Sequence, residues 1–418
     1  MISVLQSSWA LLVGMMFLMT GNGMQGTLLG IRGGLEGFAP TSMAWVMSAY
    51  YLGFLVGTRV VATMIRRVGH VRVFSALASL VAAAFILYAA DANMVLWAAL
   101  RLLVGFCYAG IYVVAESWLN EASSNQTRGK ALSLYMVVQM VGIITAQGLL
   151  NVAEPGGYNL FIIMSVLVSI SFAPILLTVS PAPPYQTTKR MTLGQLFAIS
   201  PLGCVGTFAL GGVFAAIFGM ASVFGTAKGL SVGEISAFVA AIYFGGLVCQ
   251  VPIGWASDRM DRRILITGLT AFGAALTLVA TLAPPNAWTL LLVGFFIGGV
   301  ANPLYALLIA YTNDFLEPGD MAAASGGLLF INGFGAISGP FVIGWLMTAM
   351  GPGGFFLYLA ALFGLVAVYA AYRMTRRAPP AAQAGSSYPT VLPQASPVAV
   401  EVAQAVASER RQEAATNE

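Results

Sequence analysis

The chain has 418 residues, of which 59% are apolar and only 8% carry charge, and its mean hydropathy is +0.85. A soluble domain has about 25% charged residues, so this composition excludes a soluble globular protein. The formal net charge is +4, but the basic residues lie in loops between apolar runs, which excludes a nucleic-acid-binding surface. A polytopic α-helical membrane protein is the class that fits.

Twelve apolar segments follow one another along the chain, each long enough for a membrane-spanning helix of about 20 residues. The first has no basic residue before it and no small-residue cleavage pattern, so we expect a retained helix rather than a signal peptide. The predicted fold class is an all-α membrane protein with twelve transmembrane helices. The segments span residues 8–29, 41–64, 71–90, 94–119, 130–152, 159–180, 196–223, 233–255, 263–282, 287–312, 322–348 and 353–373.

After residue 377 the composition changes to Ala, Pro, Ser and Gln. This stretch, 378–418, shows no apolar periodicity and is predicted to be a disordered cytoplasmic tail. Removing residues 380–418 is therefore expected to leave membrane insertion and transport intact.

The distribution of Lys and Arg predicts the orientation in the membrane. With both termini in the cytoplasm, fifteen of the 19 basic residues fall on the cytoplasmic side. Arg32 and Lys228 fall on the other side, and Arg59 and Arg101 fall within spans. Since cytoplasmic loops carry an excess of basic residues, we expect cytoplasmic N- and C-termini.

An internal repeat divides the chain. Residues 51–56 read YLGFLV and residues 243–248 read YFGGLV, an offset of 192, and LLVGF occurs at 102–106 and at 291–295, an offset of 189. The offset covers six helices, an even number, so the halves are parallel repeats with a substrate site expected between them near the bilayer midplane. We expect two six-helix bundles, 1–192 and 193–377.

Several motifs resemble one transporter family. The stretch GWASDRMDRR at 254–263 is similar to the loop signature G-x-x-x-D-R-x-G-R-R of the major facilitator superfamily, and RLLVG at 101–105 is similar to its R-x-x-x-G element. VVAESWLN at 113–120 and LSLYMVV at 132–138 resemble the bacterial YcaD-like branch. The resemblance implies the two-bundle major facilitator fold, location in the bacterial inner membrane and transport by alternating access.

The signature departs from the family pattern in both halves. In the second half Asp261 stands where a glycine is usual, and in the first half Ala62 and Arg66 replace the glycine and the aspartate. By resemblance, Asp258 should meet the start of the fifth helix, near Arg128. The gating and coupling candidates are Arg66, Arg67, Glu116, Asp258, Arg259 and Arg262.

The replaced aspartate leads to a hypothesis of exchanged charges. By the family's symmetry, Arg66 sits where a carboxylate would meet the start of the eleventh helix. The loop before that helix contains Asp314, Glu317 and Asp320 but no basic residue. Arg66 or Arg67 would then pair with this acidic loop when the protein faces outward. The alternative is that both clusters are solvated.

The fourth predicted helix carries ionisable side chains on one face. At 100° per residue, Arg101, Tyr108, Tyr112 and Glu116 fall within roughly 80° of one another. Arg101 and Glu116 are about 22 Å apart along the axis. Because ionisable groups within a span normally face the interior or water, this face is predicted to line a central cavity. The alternative is that both groups are bonded within the helix bundle.

Further polar residues lie within predicted spans. Asn22 and Gln25 are three residues apart and share a helix face. Each such residue could bind a polar solute, although hydrogen bonding between helices is the alternative. The dipeptide Asn302-Pro303 is expected to break the tenth helix near the cavity. The substrate-cavity candidates are Asn22, Gln25, Arg101, Tyr108, Tyr112, Gln139, Asn302 and Asn332, and Tyr50, Tyr51, Tyr305 and Phe214 are weaker candidates for shaping a pocket.

These features favour a monomeric secondary transporter of a small organic solute, with or without proton coupling, and Arg101 favours a solute with a negative group. A passive facilitator or channel, or a non-transporting sensor of the same fold, is the alternative. We expect no enzyme, because the sequence has no H-E-x-x-H, G-x-S-x-G or ATP-binding loop. One histidine and three cysteines in apolar runs predict no metal site and no cofactor.

Overall fold

The structure, a computed structural model, describes residues 2–121, 123, 125–176, 191–283, 286–376, 388, 396, 398–400, 402–403 and 406. All regular secondary structure in these ranges is helical. The junction between the two predicted bundles, residues 177–190, and most of the predicted tail lie outside the described residues.

Apolar helices account for nearly all of the described chain. Ten of them are long and apolar enough to cross a membrane, which confirms the predicted all-α membrane fold. The first and sixth predicted spans coincide with α1 and with the short helix α6, which fall outside these ten.

The first half contains α1 (Ile2–Leu35), α2 (Pro40–Val68), α3 (His70–Ala90), α4 (Met94–Glu121), α5 (Asn125–Leu149), α6 (Asn159–Ser171) and α7 (Ala173–Leu176). The second half contains α8 (Leu193–Ile199), α9 (Pro201–Ala215), α10 (Ala221–Ala227), α11 (Val232–Ser257), α12 (Arg262–Leu282), α13 (Ala287–Asn313), α14 (Met321–Met350) and α15 (Gly354–Arg376).

Local sequence signals set several helix starts. Ser231 and Glu234 form a capping box at α11, and the Asn286 side chain accepts a hydrogen bond from the Thr289 N–H at α13. These side chains bind backbone N–H groups that have no partner within the first helical turn. Between α2 and α3, Gly69 has a φ of 85°, a left-handed conformation that favours glycine.

Paired glycines bring equivalent helices together in the two halves. Gly53 on α2 lies against the backbone of Leu102 on α4, with no room for a Cβ atom. Gly245 on α11 lies in the same way against Phe295 on α13. Bare glycine backbone allows helices to approach closely in a membrane. The α2–α4 and α11–α13 pairs are therefore the structural counterparts expected from the repeat.

The structure corrects the register of one repeat match. Gly105 on α4 packs on the backbone of Tyr50, and its counterpart on α13 is Gly298, which packs on Ile242. The LLVGF match at an offset of 189 instead equates Gly105 with Gly294, so it is wrong by about one helical turn. Residues four apart share a helix face, and the apolar motif therefore matches nearly as well one turn away.

We call the end of the bundle that carries Gly69 and the loop around Asp258 the signature end, and the other the opposite end. The two halves pack together at the opposite end, where Gly30 on α1 lies against Ser222 on α10 and Gly344 on α14 lies against the Pro40 backbone. Contact between α2 and α14 extends inward from there, since the Ser48 hydroxyl donates to the Ile337 carbonyl at 2.9 Å.

Two spans differ from the predicted helix geometry near the centre of the bundle. The prediction that Asn302-Pro303 breaks the tenth helix is wrong, because α13 runs without interruption from Ala287 to Asn313. Neighbouring helices can compensate for a proline inside a membrane helix, since they bind the backbone groups that it leaves free. The seventh span instead contains a π-helical turn, Ala216–Met220, between α9 and α10.

Candidate functional site

A cavity lies between the two halves at the middle of the bundle. Its walls are formed by α1, α2, α4 and α5 from the first half and by α9, the π-helical turn, α11 and α14 from the second. The empty space amounts to about 950 Å³, including the part open to solvent.

Arg101 is the charged group of this cavity. It is only 3% exposed, and its Nη1 donates a hydrogen bond to the Gln25 Oε1 at 3.0 Å. Gln25 in turn donates from Nε2 to the Tyr88 hydroxyl at 2.8 Å. The guanidinium carbon lies 4.7 Å from the centre of the Tyr50 ring, and Nη2 lies 3.3 Å from the sulfur of Met47. These contacts fix the guanidinium in place.

The charge of Arg101 is not neutralised by the surrounding side chains. Among the described residues, no carboxylate lies within 4.0 Å of the guanidinium, and its Nε has no hydrogen-bond partner. A buried charge without a counterion costs several kcal/mol, even when polar neighbours reduce the cost. The cavity therefore favours a bound group with negative charge.

Neutral polar groups surround this cation. Asn22 and Tyr50 both line the cavity, and the Gln147 Nε2 donates to the Gly23 carbonyl at 3.3 Å. The Gln147 Oε1 is buried without a partner, which leaves an acceptor at the cavity wall. These groups come from the first half.

Aromatic side chains form the facing wall in the second half. The Phe218 ring stacks on Phe214 at 5.4 Å and on Tyr243 at 4.8 Å between ring centres. Phe218 lies within the π-helical turn, and such turns are frequent at functional sites. The second-half wall is thus largely aromatic, whereas Arg101, Asn22 and Gln147 make part of the first-half wall polar and cationic beside Tyr50, Tyr51 and Phe54.

The predicted cavity candidates divide into three groups. Asn22, Arg101 and Asn332 line the cavity, and the Asn332 Nδ2 also donates to the Thr207 carbonyl at 3.1 Å. Gln25 lies behind Arg101 and positions it.

The remaining candidates lie away from the lining and make bonds within the bundle. The Tyr108 hydroxyl donates to the Leu18 carbonyl at 3.0 Å, and the Tyr112 hydroxyl contacts the Met19 sulfur at 3.2 Å. Gln139 is buried on α5, and the Asn302 Nδ2 donates to the Gly298 carbonyl one turn earlier at 3.3 Å. For Tyr108 and Tyr112 the structure favours the alternative interpretation, contacts that hold helices together, whereas Asn302 bonds within its own helix.

Of the aromatic wall, Phe214 was predicted from the sequence as a pocket residue, but Phe218 and Tyr243 were not. Tyr243 had a signal, because it is the repeat counterpart of Tyr51 at an offset of 192 and both residues line the cavity. For Phe218 the sequence offers no such signal, since an apolar residue in an apolar helix has no distinguishing pattern.

At the signature end, charged residues form local pairs. The Arg262 guanidinium contacts the Asp314 carboxylate, and the two side chains are only 7% and 5% exposed. Asp261 accepts hydrogen bonds from the Arg263 N–H and guanidinium, so it caps α12. These bonds hold the pKa of the Asp261 carboxyl below its usual range. They also explain why an aspartate stands at this position of the signature.

The other gating candidates lie around the same end. The Asp258 carboxylate accepts the Tyr388 N–H at 2.8 Å, and Arg259 covers the Trp255 ring. Arg66 and Arg67 are exposed at the end of α2. Glu116 is buried near this end on α4.

Comparison with known proteins decides the family. The profile of the Major Facilitator Superfamily matches residues 11–231 and, a second time, residues 202–403. The chain belongs to the major facilitator superfamily. The two matches overlap at residues 202–231 and together span residues 11–403.

The transporter is similar in sequence to proteins of the YcaD branch. It is 27% identical to the MFS-type transporter YcaD of Escherichia fergusonii over 76% of this chain and 82% of that protein. Among solved structures, a single-substitution variant of the nucleoside transporter NupG matches with a TM-score of 0.76 at 15% identity, covering 88% of this chain and 99% of NupG.

A bacterial homologue of the human lysosomal transporter Spinster, solved inward-facing and unoccupied, matches with a TM-score of 0.66 at 14% identity. That match covers 99% of this chain and 98% of the homologue. Both structures share the fold with the transporter. The chain is a multi-pass protein of the bacterial inner membrane.

Proposed function

We propose that the transporter carries a small organic anion with a flat apolar portion across the membrane by alternating access. The single observation that supports this most is the buried Arg101 in the central cavity without a carboxylate nearby in the described part of the chain. The anionic group would bind the guanidinium, and a carboxylate or phosphate suits its planar donors best.

The opposite wall supports the apolar portion of the substrate. Phe214, Phe218 and Tyr243 stack on one another in the second-half wall of the cavity. A flat apolar group placed there would lie against aromatic surface while its charged end meets Arg101. An acid on an aromatic or planar ring fits this division, and a neutral sugar does not use it.

The acidic residues of the cavity lining bear on the driving force for transport. The described residues that line the cavity include no Asp or Glu. We therefore propose transport down the gradient of the solute or in exchange for a second anion. Proton coupling is the second candidate for the driving force. Its proton acceptor would be Glu116, which is buried on α4 and accepts a hydrogen bond from the Tyr135 hydroxyl at 3.3 Å.

A binding screen tests the substrate class. The melting temperature of the purified protein is measured with aromatic carboxylates and phosphates, each paired with its neutral amide or alcohol. We expect stabilisation by acids but not by their neutral partners, because only the acids neutralise Arg101. Arg101→Gln should abolish that stabilisation, whereas Arg101→Lys keeps the charge and should retain part of it.

Stabilisation by neutral compounds alone, or by acids equally in Arg101→Gln, would contradict the anion proposal. Flux in proteoliposomes then tests the mechanism with an acid found in the screen. Unlabelled acid inside the vesicle should accelerate uptake of labelled acid, since a carrier exchanges its substrate. A channel shows no such acceleration, and an imposed pH gradient shows whether protons are coupled.

A further inference from the structure

The described residues of the C-terminal tail are bound to the helix bundle. Tyr388 donates its backbone N–H to Asp258 Oδ1 at 2.8 Å and its hydroxyl to the Pro303 carbonyl at 3.1 Å. Its ring lies on Gly254, where an added Cβ would come within 2.9 Å of the ring. All three contacts are with α11, α13 and the loop that follows α11, so Tyr388 is held by the second half.

A second part of the tail is held by the first half. Ser396 is 1% exposed and donates its backbone N–H to Glu116 Oε2 at 2.9 Å. Glu116 is itself 2% exposed, and its other oxygen accepts the Tyr135 hydroxyl. A buried carboxylate needs such donors, because its desolvation is costly. The tail therefore supplies a hydrogen bond that a buried charged group of α4 requires.

Apolar side chains continue this contact. Ala399, Val400, Val402 and Ala403 are all buried and belong to the main hydrophobic core. Ala399 and Val402 face α4 and α5 across a small gap that Leu132 and Leu119 also line. Burial of the two valine side chains removes apolar surface from water and so stabilises the docked segment.

The two contacts lie on different halves. Tyr388 contacts α11, α13 and the loop after α11, whereas Ser396 contacts Glu116 on α4. The direct contacts between the halves described above lie at the opposite end and at the centre of the bundle. For this end to close, α4 and α5 must approach α11 and α13. The described tail residues contact both of these sides.

We propose that a groove at the signature end is a docking site for the transporter's own C-terminal segment, and that the docked segment holds this end open. The groove has Gly254, Asp258 and Pro303 on one side and Glu116, Leu119 and Leu132 on the other, and the segment includes Tyr388, Ser396 and Ala399. Tyr388 and Ser396 attach the segment to one half each. Release of the segment frees Asp258 and Glu116 and lets the two halves approach. The tail thereby acts as an autoinhibitory latch, which rests on the alternating-access function proposed above.

Disulfide formation tests docking without any substrate. Ala399→Cys combined with Leu132→Cys should cross-link within the chain under mild oxidation, because both residues line the same gap. Ala399→Cys alone controls for reaction with the native cysteines. Ser396→Pro removes the N–H that binds Glu116 and should reduce the cross-linked fraction several-fold. Absence of a cross-link in the double variant overturns docking.

Distance measurement tests the latch. Spin labels at the exposed positions Ser133 on α5 and Met260 after α11 report the separation of the halves at the signature end. In the full chain we expect one long distance. A chain ending at Ser387, or Ser396→Pro, should add a population at shorter distance. A chain ending at Val406 keeps the described tail contacts and is the matched control, with the distance of the full chain.

The outcomes separate the two proposals. If the chain ending at Ser387 keeps the distance distribution of the full chain while an acid ligand shifts it, the latch is wrong and alternating access stands. If neither truncation nor ligand changes the distance, the halves do not move and both the latch and the proposed function are wrong.

Discussion

The ion pair between Arg262 and Asp314 is the most deeply buried charge contact described at the signature end. Removing one partner of such a pair leaves an uncompensated buried charge, which costs about 3–5 kcal/mol. We therefore predict that Arg262→Gln lowers the free energy of unfolding by that amount, measured by denaturation of the purified protein. Arg259→Gln removes an exposed charge on the same loop and should change it by about 0–1 kcal/mol. Equal losses in the two variants would show that the Arg262–Asp314 contact does not stabilise the fold.

Gln25 offers a second test at the scale of single residues, since its Oε1 accepts the hydrogen bond from Arg101. Gln25→Glu would place a carboxylate at that position and neutralise the guanidinium from within the protein. We predict a folded and more heat-stable protein whose affinity for the anionic substrate falls about tenfold or more, a loss of about 1.4 kcal/mol. Isothermal titration with an acid from the binding screen measures this. Unchanged affinity would mean that Arg101 does not contact the substrate.

At the scale of helices, the glycine pairs that join α11 to α13 make a prediction about packing. A Cβ at Gly245 or Gly298 would overlap backbone atoms of the facing helix. Overpacking of this kind costs about 1–3 kcal/mol, so Gly245→Ala and Gly298→Ala should each lower the melting temperature. Gly268→Ala on α12 is the matched control, because nothing lies within 4 Å of its added Cβ. A drop of the same size in the control would refute the packing argument.

Helix α4 shows what sequence periodicity can predict and what it cannot. The spacing of Arg101, Tyr108, Tyr112 and Glu116 predicts a shared face, but three different neighbours lie along it. Arg101 meets the cavity, the two tyrosines bond α1, and Glu116 binds Tyr135 and the tail. Periodicity fixes the direction of a side chain around its own helix axis. It does not fix what another helix brings to that point, which depends on how the two halves pack.

The tail is the element for which the sequence was least informative. The prediction of disorder for 378–418 followed from the Pro- and Ser-rich composition of its first part. The run VAVEVAQAV at 398–406 has enough apolar residues to bury a short face, and the described residues within it are helical or buried. The expectation that deleting 380–418 leaves transport unaffected rested on the missing periodicity and stays a prediction, whereas the proposed latch through Tyr388 and Ser396 predicts a change in transport.

For the whole molecule, the orientation in the membrane stays a prediction from the basic residues. Reporter fusions after residue 190 and after residue 377 should both report a cytoplasmic location, because fifteen of the 19 basic residues then lie on that side. Alkaline phosphatase and green fluorescent protein fusions at the same two positions measure this with opposite signals. A periplasmic signal at either position would reverse the assignment and would make the signature end the outer one.

The second prediction for the whole molecule concerns Asp258 when the signature end is closed. By resemblance to the family, its carboxylate should then meet the start of α5 near Arg128, where free N–H groups and the helix dipole favour an anion. In the present structure the Tyr388 N–H binds Asp258 instead. Asp258→Asn should slow transport in proteoliposomes without loss of folded protein, because the closed arrangement loses this contact. Transport at the rate of the unmodified protein would exclude the role.

The hypothesis of exchanged charges also makes a prediction for the closed arrangement. Arg66 is exposed and donates a hydrogen bond to the Thr63 hydroxyl at 3.2 Å. The Asp314 carboxylate already forms an ion pair with Arg262. Of the acidic loop before α14, Glu317 and Asp320 therefore remain as partners for Arg66 when the signature end closes. If they pair, Arg66→Glu should impair transport through repulsion, and adding Glu317→Lys or Asp320→Lys should restore part of the exchange rate in proteoliposomes.

Arg72→Glu makes the same charge change at an exposed position on α3 and should have little effect, since exposed pairs contribute about 0–1 kcal/mol. Failure of both lysine substitutions to rescue Arg66→Glu means that the two clusters are solvated and the charges were not exchanged.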